Sequence, residues 1–201
     1  MRLSTVRLLV LGAIRRRGIT HGYGVHQDLT AWRADTWTSV KPGSIYHAME
    51  KLSAQGLIRA EDSGDSVKRG PARTEYALTP AGEETFRALL EEALKSNEFE
   101  QMAAGIAFME MLPRDRVIAL LEERLAAQQA SAAFLRALPT ESMPTVPSKH
   151  PELVGLWAGY MAHAVTATER LLQSLREGKY AFAGENNDSK GASDDARSAD
   201  A

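Results

Sequence analysis

Lys41-Pro42-Gly43-Ser44-Ile45-Tyr46-His47-Ala48-Met49-Glu50-Lys51-Leu52-Ser53-Ala54-Gln55-Gly56 is the stretch on which the reading of the chain turns. Proline suits the first position of a helix, and glycine suits the left-handed residue past its end, so the run predicts a helix over about 43–56. Ile45, Met49 and Leu52 recur at i, i+4 and i+7 as one apolar stripe. At about 100° per residue, Ser44, His47, Lys51 and Ala54 point the other way. That outer face carries a hydroxyl, an imidazole, a cation and a small residue, with Glu50 as the acid nearby. Such a face can enter a major groove: Lys reaches guanine O6/N7 or a phosphate, and Ser or His bonds base edges. Tyr46 lies to one side, where its hydroxyl can reach a phosphate. The other reading of the same residues is a solvated helix face, and composition divides the two about evenly.

The flanks extend the pattern. Upstream, Val6, Val10, Ala13 and Ile14 predict a helix over 3–17 ended by Gly18, and Thr20 caps a second over 20–33 with stripe Val25, Leu29 and Trp32. A polar turn leads through Val40. Downstream, Leu57 to Asp62 and Ala72 to Leu78 read as two strands around a loop that carries Lys68 and Arg69. Thr79-Pro80 starts a further helix to about Ser96. Three helices, a β-ribbon and another helix describe a winged helix-turn-helix, with Lys68 and Arg69 at the wing tip suited to phosphates or the minor groove.

The wording is more specific than the pattern. Thr20-His21-Gly22-Tyr23-Gly24, Lys41 to Tyr46, Lys51-Leu52, Gln55 to Ile58, and Arg73 to Gly82 closely resemble, in that order, the PadR family of bacterial transcriptional regulators. The resemblance covers about residues 5–87. Lys68-Arg69-Gly70-Pro71-Ala72-Arg73 is similar to the family's wing tip, with an insertion between Pro71 and Arg73 and no lysine following. The resemblance implies a cytoplasmic dimer on a near-palindromic operator, often a repressor relieved by an effector. The length implies the larger subgroup, with a C-terminal helical domain. The candidate contacts to double-stranded DNA are therefore Tyr23, Lys41, Ser44, Tyr46, His47, Lys51, Lys68, Arg69 and Arg73.

The second half reads as helical throughout: a short helix over Gln101 to Leu112, a long one over Pro113 to Leu138 and another over Glu152 to Glu177, the last two separated by a proline-rich connector. Leu153, Trp157, Tyr160, Ala164, Ala167 and Leu171 alternate four and three apart, a coiled-coil-like seam that needs a partner. The partner is either the helix over 113–138 of the same chain or a second copy, or both. Phe108, Met109, Met111, Phe134, Trp157, Tyr160 and Met161 either line a cavity for a small hydrophobic effector or pack core and interface. Residues 183–201 have too few apolar side chains to offset ordering and read as a disordered tail. The expected organisation is mainly α: a winged helix-turn-helix over 1–87, an all-α dimerisation domain over 88–182, and the tail.

Charge supports two roles in one chain. The net charge of −2 hides +6 over residues 1–59, −2 over 60–87 and −6 over 88–201. The first segment supplies a salt-sensitive grip on phosphates. The chain has no cysteine, which excludes disulfides and thiolate chemistry and fits a reducing cytoplasm. No apolar run is long enough for a membrane span, and the arginines after Ile14 stand on the wrong side for an export signal. The five histidines lack ligand spacing, no cofactor motif occurs, and neither a phosphate loop nor a nucleophile elbow is present, so an enzyme is not expected. A winged-helix adaptor that binds protein remains the alternative to a DNA-binding regulator. Ser44, His47 and Lys51 favour DNA, because an adaptor would show apolar or acidic residues there.

Overall fold

A computed structural model of the chain describes residues 5–61, 74–138, 151–182 and 185. Lys68, Arg69, Arg73, the connector over 139–150 and most of the expected tail lie outside the described residues. The chain divides into two compact units, residues 1–109 and 110–201. The first extends past the boundary expected at 87.

The first unit is built around α1 (Thr5–Arg17). The stripe expected on this helix accounts for only part of its burial. Every residue from Leu8 to Ile14 is buried, because α2 (Gly22–Ala31), α4 (Pro42–Ala54), α5 (Pro80–Lys95), α6 (Phe99–Phe108) and β3 (Glu75–Leu78) all pack against it. A helix apolar on all sides belongs in a core. Its fully buried leucines each contribute roughly 1.5–3 kcal/mol relative to exposure.

The remaining small elements are β1 (Ile19–His21), α3 (Ala34–Trp37) and β2 (Ile58–Glu61). The ribbon expected from two strands is a three-stranded antiparallel sheet in the order β1-β3-β2. Ile19 pairs with Ala77 and Ile58 with Leu78. The second helix was expected to start at Thr20, but Thr20 and His21 belong to β1; three residues are too few for alternation to show. The cap of α2 is therefore His21 and not Thr20: its Nδ1 accepts from the Gly24 amide at 2.9 Å. Gly18 and Gly56 end α1 and α4 at φ +76° and +68°, as expected.

Thr79 caps α5, its Oγ1 accepting from the Gly82 amide at 3.1 Å. The same hydroxyl donates to the Gly56 carbonyl at 2.7 Å, and the Thr79 amide donates to the Leu57 carbonyl at 3.0 Å. One residue thus fastens the start of α5 to the turn that follows α4. After α6 comes a 3₁₀ turn over Met109–Met111.

The second unit contains α7 (Arg114–Ala137) and α8 (Pro151–Arg176). Arg176 pairs with Glu122 in the first half of α7 and Thr168 with Gln128 further along, so the two helices run antiparallel. Their seam differs from the expected one. Met161, Thr168, Leu172 and Leu175 are buried, whereas Leu153, Trp157 and Tyr160 are 61%, 49% and 50% exposed. Ala167 is exposed and Leu171 is half-buried. The side of α8 that meets α7 carries a polar match that the apolar seam did not include. Buried Thr168 accepts from Arg124 Nε at 3.2 Å and lies 2.9 Å from Gln128 Oε1. Buried polar groups must find such partners, and this trio fixes the register.

Beyond α8, Arg114 donates to the Leu175 and Tyr180 carbonyls and to the Glu185 carboxylate, each at 2.6 Å. Its guanidinium also lies 4.6 Å from the Phe182 ring centroid. Phe182 is buried, and Glu185 is held by the Arg114 guanidinium.

Candidate nucleic-acid interface

The recognition helix is α4. Ile45, Met49 and Leu52 anchor it in the core at 1%, 4% and 2% exposure. The opposite face is open: Lys41, Tyr46, His47, Lys51 and Ala54 are exposed. Tyr23, from the first turn of α2, is also exposed. The helix-turn-helix therefore presents one surface carrying two lysines, two phenols and an imidazole.

Ser44 has a different position from its neighbours. It is half-buried, accepts from the Lys41 amide at 2.9 Å and donates to the Lys41 carbonyl at 2.7 Å. Its only proton is engaged in closing the first turn of α4, so in the free protein it has none left to donate to a base. Its role here is to fix the start of the helix. His47 Nδ1 stands 3.7 Å from the Glu50 carboxylate, one turn along the same exposed side.

Among the cations counted in the +6 segment two sets stand out. Arg15 bonds Glu83 at 2.8 Å, and Arg17 grips Asp28 with two nitrogens at 2.6 and 2.7 Å. Arg16 lies 4.7 Å from the Trp32 ring centroid and 5.3 Å from that of Phe108, and donates to the Ala107 carbonyl. Arg59 pairs with Glu61 at 2.7 Å. These arginines hold the unit together, and Lys41 and Lys51 are the described cations on the open face of α4. A sequence count cannot separate the sets, because pairing partners such as Glu83 come from distant segments.

The residues considered for an effector or dimer surface fall into two groups. Phe108 is fully buried in the first unit, edge-on to Phe86 at 5.9 Å and to Trp32 at 5.5 Å. It is core packing there. Phe134, Leu153, Trp157 and Tyr160 are exposed on the second unit, Leu171 is half-buried, and Met161 is buried between α7 and α8. Among the described residues no cluster of three or more His, Asp or Glu could hold a metal, and no helix is long and apolar enough to cross a membrane.

Residues 10–88 match the model of the transcriptional regulator PadR-like family. Solved structures that match the chain include Bacillus subtilis PadR in complex with operator DNA, at 18% identity and TM-score 0.36, covering 86% of this chain and 99% of that one. The same protein in complex with p-coumaric acid matches at 18% identity and TM-score 0.35, with the same coverage. A PadR-like transcriptional regulator from Bacillus cereus matches at 17% identity and TM-score 0.35, covering 87% and 99%. No curated protein matches the chain. The family's members are transcriptional regulators and not enzymes. The matched region, residues 10–88, contains the described helix-turn-helix and the open polar face of its recognition helix, so this part of the chain is similar to the transcriptional regulator PadR-like family.

Proposed function

We infer that the protein is a bacterial repressor that binds a near-palindromic operator as a homodimer and is released by a small hydrophobic or aromatic effector. The observation that carries the DNA contact is the open face of α4: Lys41, Tyr46, His47 and Lys51 exposed over an anchored apolar stripe. Tyr23 and Tyr46 serve as phosphate contacts, Lys51 and His47 reach base edges, and Lys41 adds charge at the helix start. Lys68, Arg69 and Arg73 extend the contact along the wing. A twofold dimer sets two recognition helices about one helical turn apart, roughly 34 Å, on one side of the duplex.

The dimer reading is supported by the outer side of α8, where Leu153, Leu156, Trp157 and Tyr160 remain exposed after α7 has packed. Exposed apolar groups in such a cluster mark interaction sites. The aromatic members of this cluster, with Phe134, are also the groups that suit a planar apolar effector. The protein acts in the cytoplasm, where its operator is.

A mobility-shift assay on the DNA upstream of the protein's own gene, repeated across salt, tests the reading. A retarded dimer complex that weakens as salt rises supports it. Absence of any shift at low salt on every fragment overturns it and favours the protein-binding adaptor.

A further inference from the structure

The first turn of α2 is closed by a ring that can cap it in one protonation state only. His21 stands at the cap, and its Nδ1 accepts from the Gly24 amide at 2.9 Å. An imidazole nitrogen accepts only while it carries no proton, so the bond needs the neutral ring with its proton on Nε2. The commoner caps, Ser, Thr, Asp and Asn, offer an oxygen that keeps its lone pairs through mild acid.

That turn also seats two phenols. Tyr23 belongs to it, is 48% exposed, and has its ring centroid 6.1 Å from that of His21. Tyr46 comes from α4, but its ring lies so close over Gly22 that a Cβ there would come 2.6 Å from its Cε1. A first turn that opens at the cap therefore disturbs both rings at once.

Surrounding charge gives a protonated ring reason to leave the cap. Among the described residues, the titratable groups about His21 are Arg17 from α1, Tyr23 and His26 from α2, Tyr46 and Glu50 from α4, and Glu75 and Tyr76 from β3. Arg17 is on the cap side: a Cβ on Gly24 would lie 3.5 Å from its Nη1 and 3.6 Å from His21 Nδ1. A positive imidazole at that spot would meet Arg17, the Gly24 N–H and the positive end of the helix dipole. Glu75 stands opposite His21 in the β ladder, and Glu50 shares a cavity wall with it. The neutral ring belongs at the cap, and the charged ring is drawn toward those carboxylates.

We propose that His21 is a positioning residue for the operator contact and makes that contact proton-sensitive: protonation uncaps α2 and unseats Tyr23 and Tyr46. Only the operator clause rests on the proposed function. An uncapped turn has to be re-formed on the duplex, which lowers affinity about tenfold.

The test uses the full-length protein and operator DNA at about pH 8 and about pH 5, on either side of the range where imidazoles titrate, at one ionic strength. His21→Asn keeps an acceptor for the Gly24 amide and has nothing to protonate there. Protonation of His26 and His47 adds positive charge beside the DNA in every variant, so the readout is wild-type affinity divided by that of His21→Asn. The ratio should be near one at the higher pH and fall about tenfold at the lower. His21→Ala, which offers no acceptor, should be about tenfold weaker than His21→Asn at both. In the free protein, the Gly24 amide resonance should move as its hydrogen bond is lost, and the Tyr23 ring resonances with it, in step with titration of His21. A ratio that ignores pH, a Gly24 amide that stays bonded once His21 is charged, or a His21 ring that remains neutral at the lower pH overturns the proposal. Gly24 and Tyr23 resonances that follow His21 in a protein that shifts no DNA overturn the operator reading and leave the proton-sensitive cap standing.

Discussion

The edge of the Phe108 ring fills the space that a Cβ on Gly12 would occupy, so the middle of α1 and the end of α6 approach as closely as a missing side chain allows. Gly12→Ala gains about 1 kcal/mol of helix propensity but forces a fully buried ring to move. Overpacking of this kind costs roughly 1–3 kcal/mol, so the expected net effect is destabilising. Denaturant unfolding should show a lower midpoint, and Phe108→Leu in the same chain should recover part of it. A midpoint raised by Gly12→Ala alone would contradict the close packing.

Lys51→Ala and Tyr46→Phe separate base reading from phosphate contact. Lys51→Ala should cost about 1–3 kcal/mol on the preferred operator and relax its sequence preference. Tyr46→Phe should weaken all sequences about alike. Binding isotherms on an operator and on scrambled DNA check both, and a Tyr46→Phe loss confined to particular operator bases would overturn its phosphate role.

Leu153→Glu and Trp157→Ala change side chains that the isolated chain leaves exposed, so the monomer fold should survive either. Both should weaken the dimer, with operator affinity falling more than base preference changes. Sedimentation equilibrium and circular dichroism on the same samples test this. A tight dimer with unchanged effector response in Trp157→Ala would remove the residue from both roles.

Thr168→Val keeps the shape of a buried residue and deletes the hydroxyl that joins Arg124 to Gln128. Leaving such buried polar groups short of a partner costs about 1–3 kcal/mol. Burial already lowers the Arg124 pKa, its charge being disfavoured away from water, so this guanidinium is sensitive to the loss. Thermal unfolding should report the destabilisation. Replacing all three by apolar residues of similar size should be close to neutral.

The Arg114 clasp predicts a pH effect at the end of α8. Hydrogen bonds from Arg114 hold the Glu185 carboxyl below its ordinary pKa. A group with a depressed folded pKa contributes above its unfolded pKa, and the contribution is lost as pH falls through the folded value. Contacts around Phe182 should therefore be kept near neutrality and loosen in acid. Resonances of the Phe182 ring should follow that titration, and Glu185→Gln should abolish it.

The reading head was legible because its parts repeat at short range. The Ile45, Met49 and Leu52 stripe, the Thr79-Pro80 start and the terminating Gly56 all appear in the structure where periodicity and capping put them. β1 was not legible, since three residues paired with a segment more than fifty positions away leave no local signal. The second unit was half legible. Helix existence followed from period, but the side of α8 that meets α7 depended on the match of Thr168 with Arg124 and Gln128, which are distant in sequence. The open face of α4 was foreseeable; the engagement of Ser44 with Lys41 and of Arg15 and Arg17 with carboxylates was not, because both need three-dimensional neighbours.

Phe108 also bears on where the chain can be cut. A fragment stopped at 87 would lose the second half of α5 and all of α6, opening a notch at Gly12 and stripping the aromatic lid from Trp32 and Arg16. A fragment that ends at Met109 keeps the whole bed on which α1 rests. Minimal N-terminal fragments and chimaeras that exchange C-terminal halves should be spliced there, with α6 carried along with the helix-turn-helix.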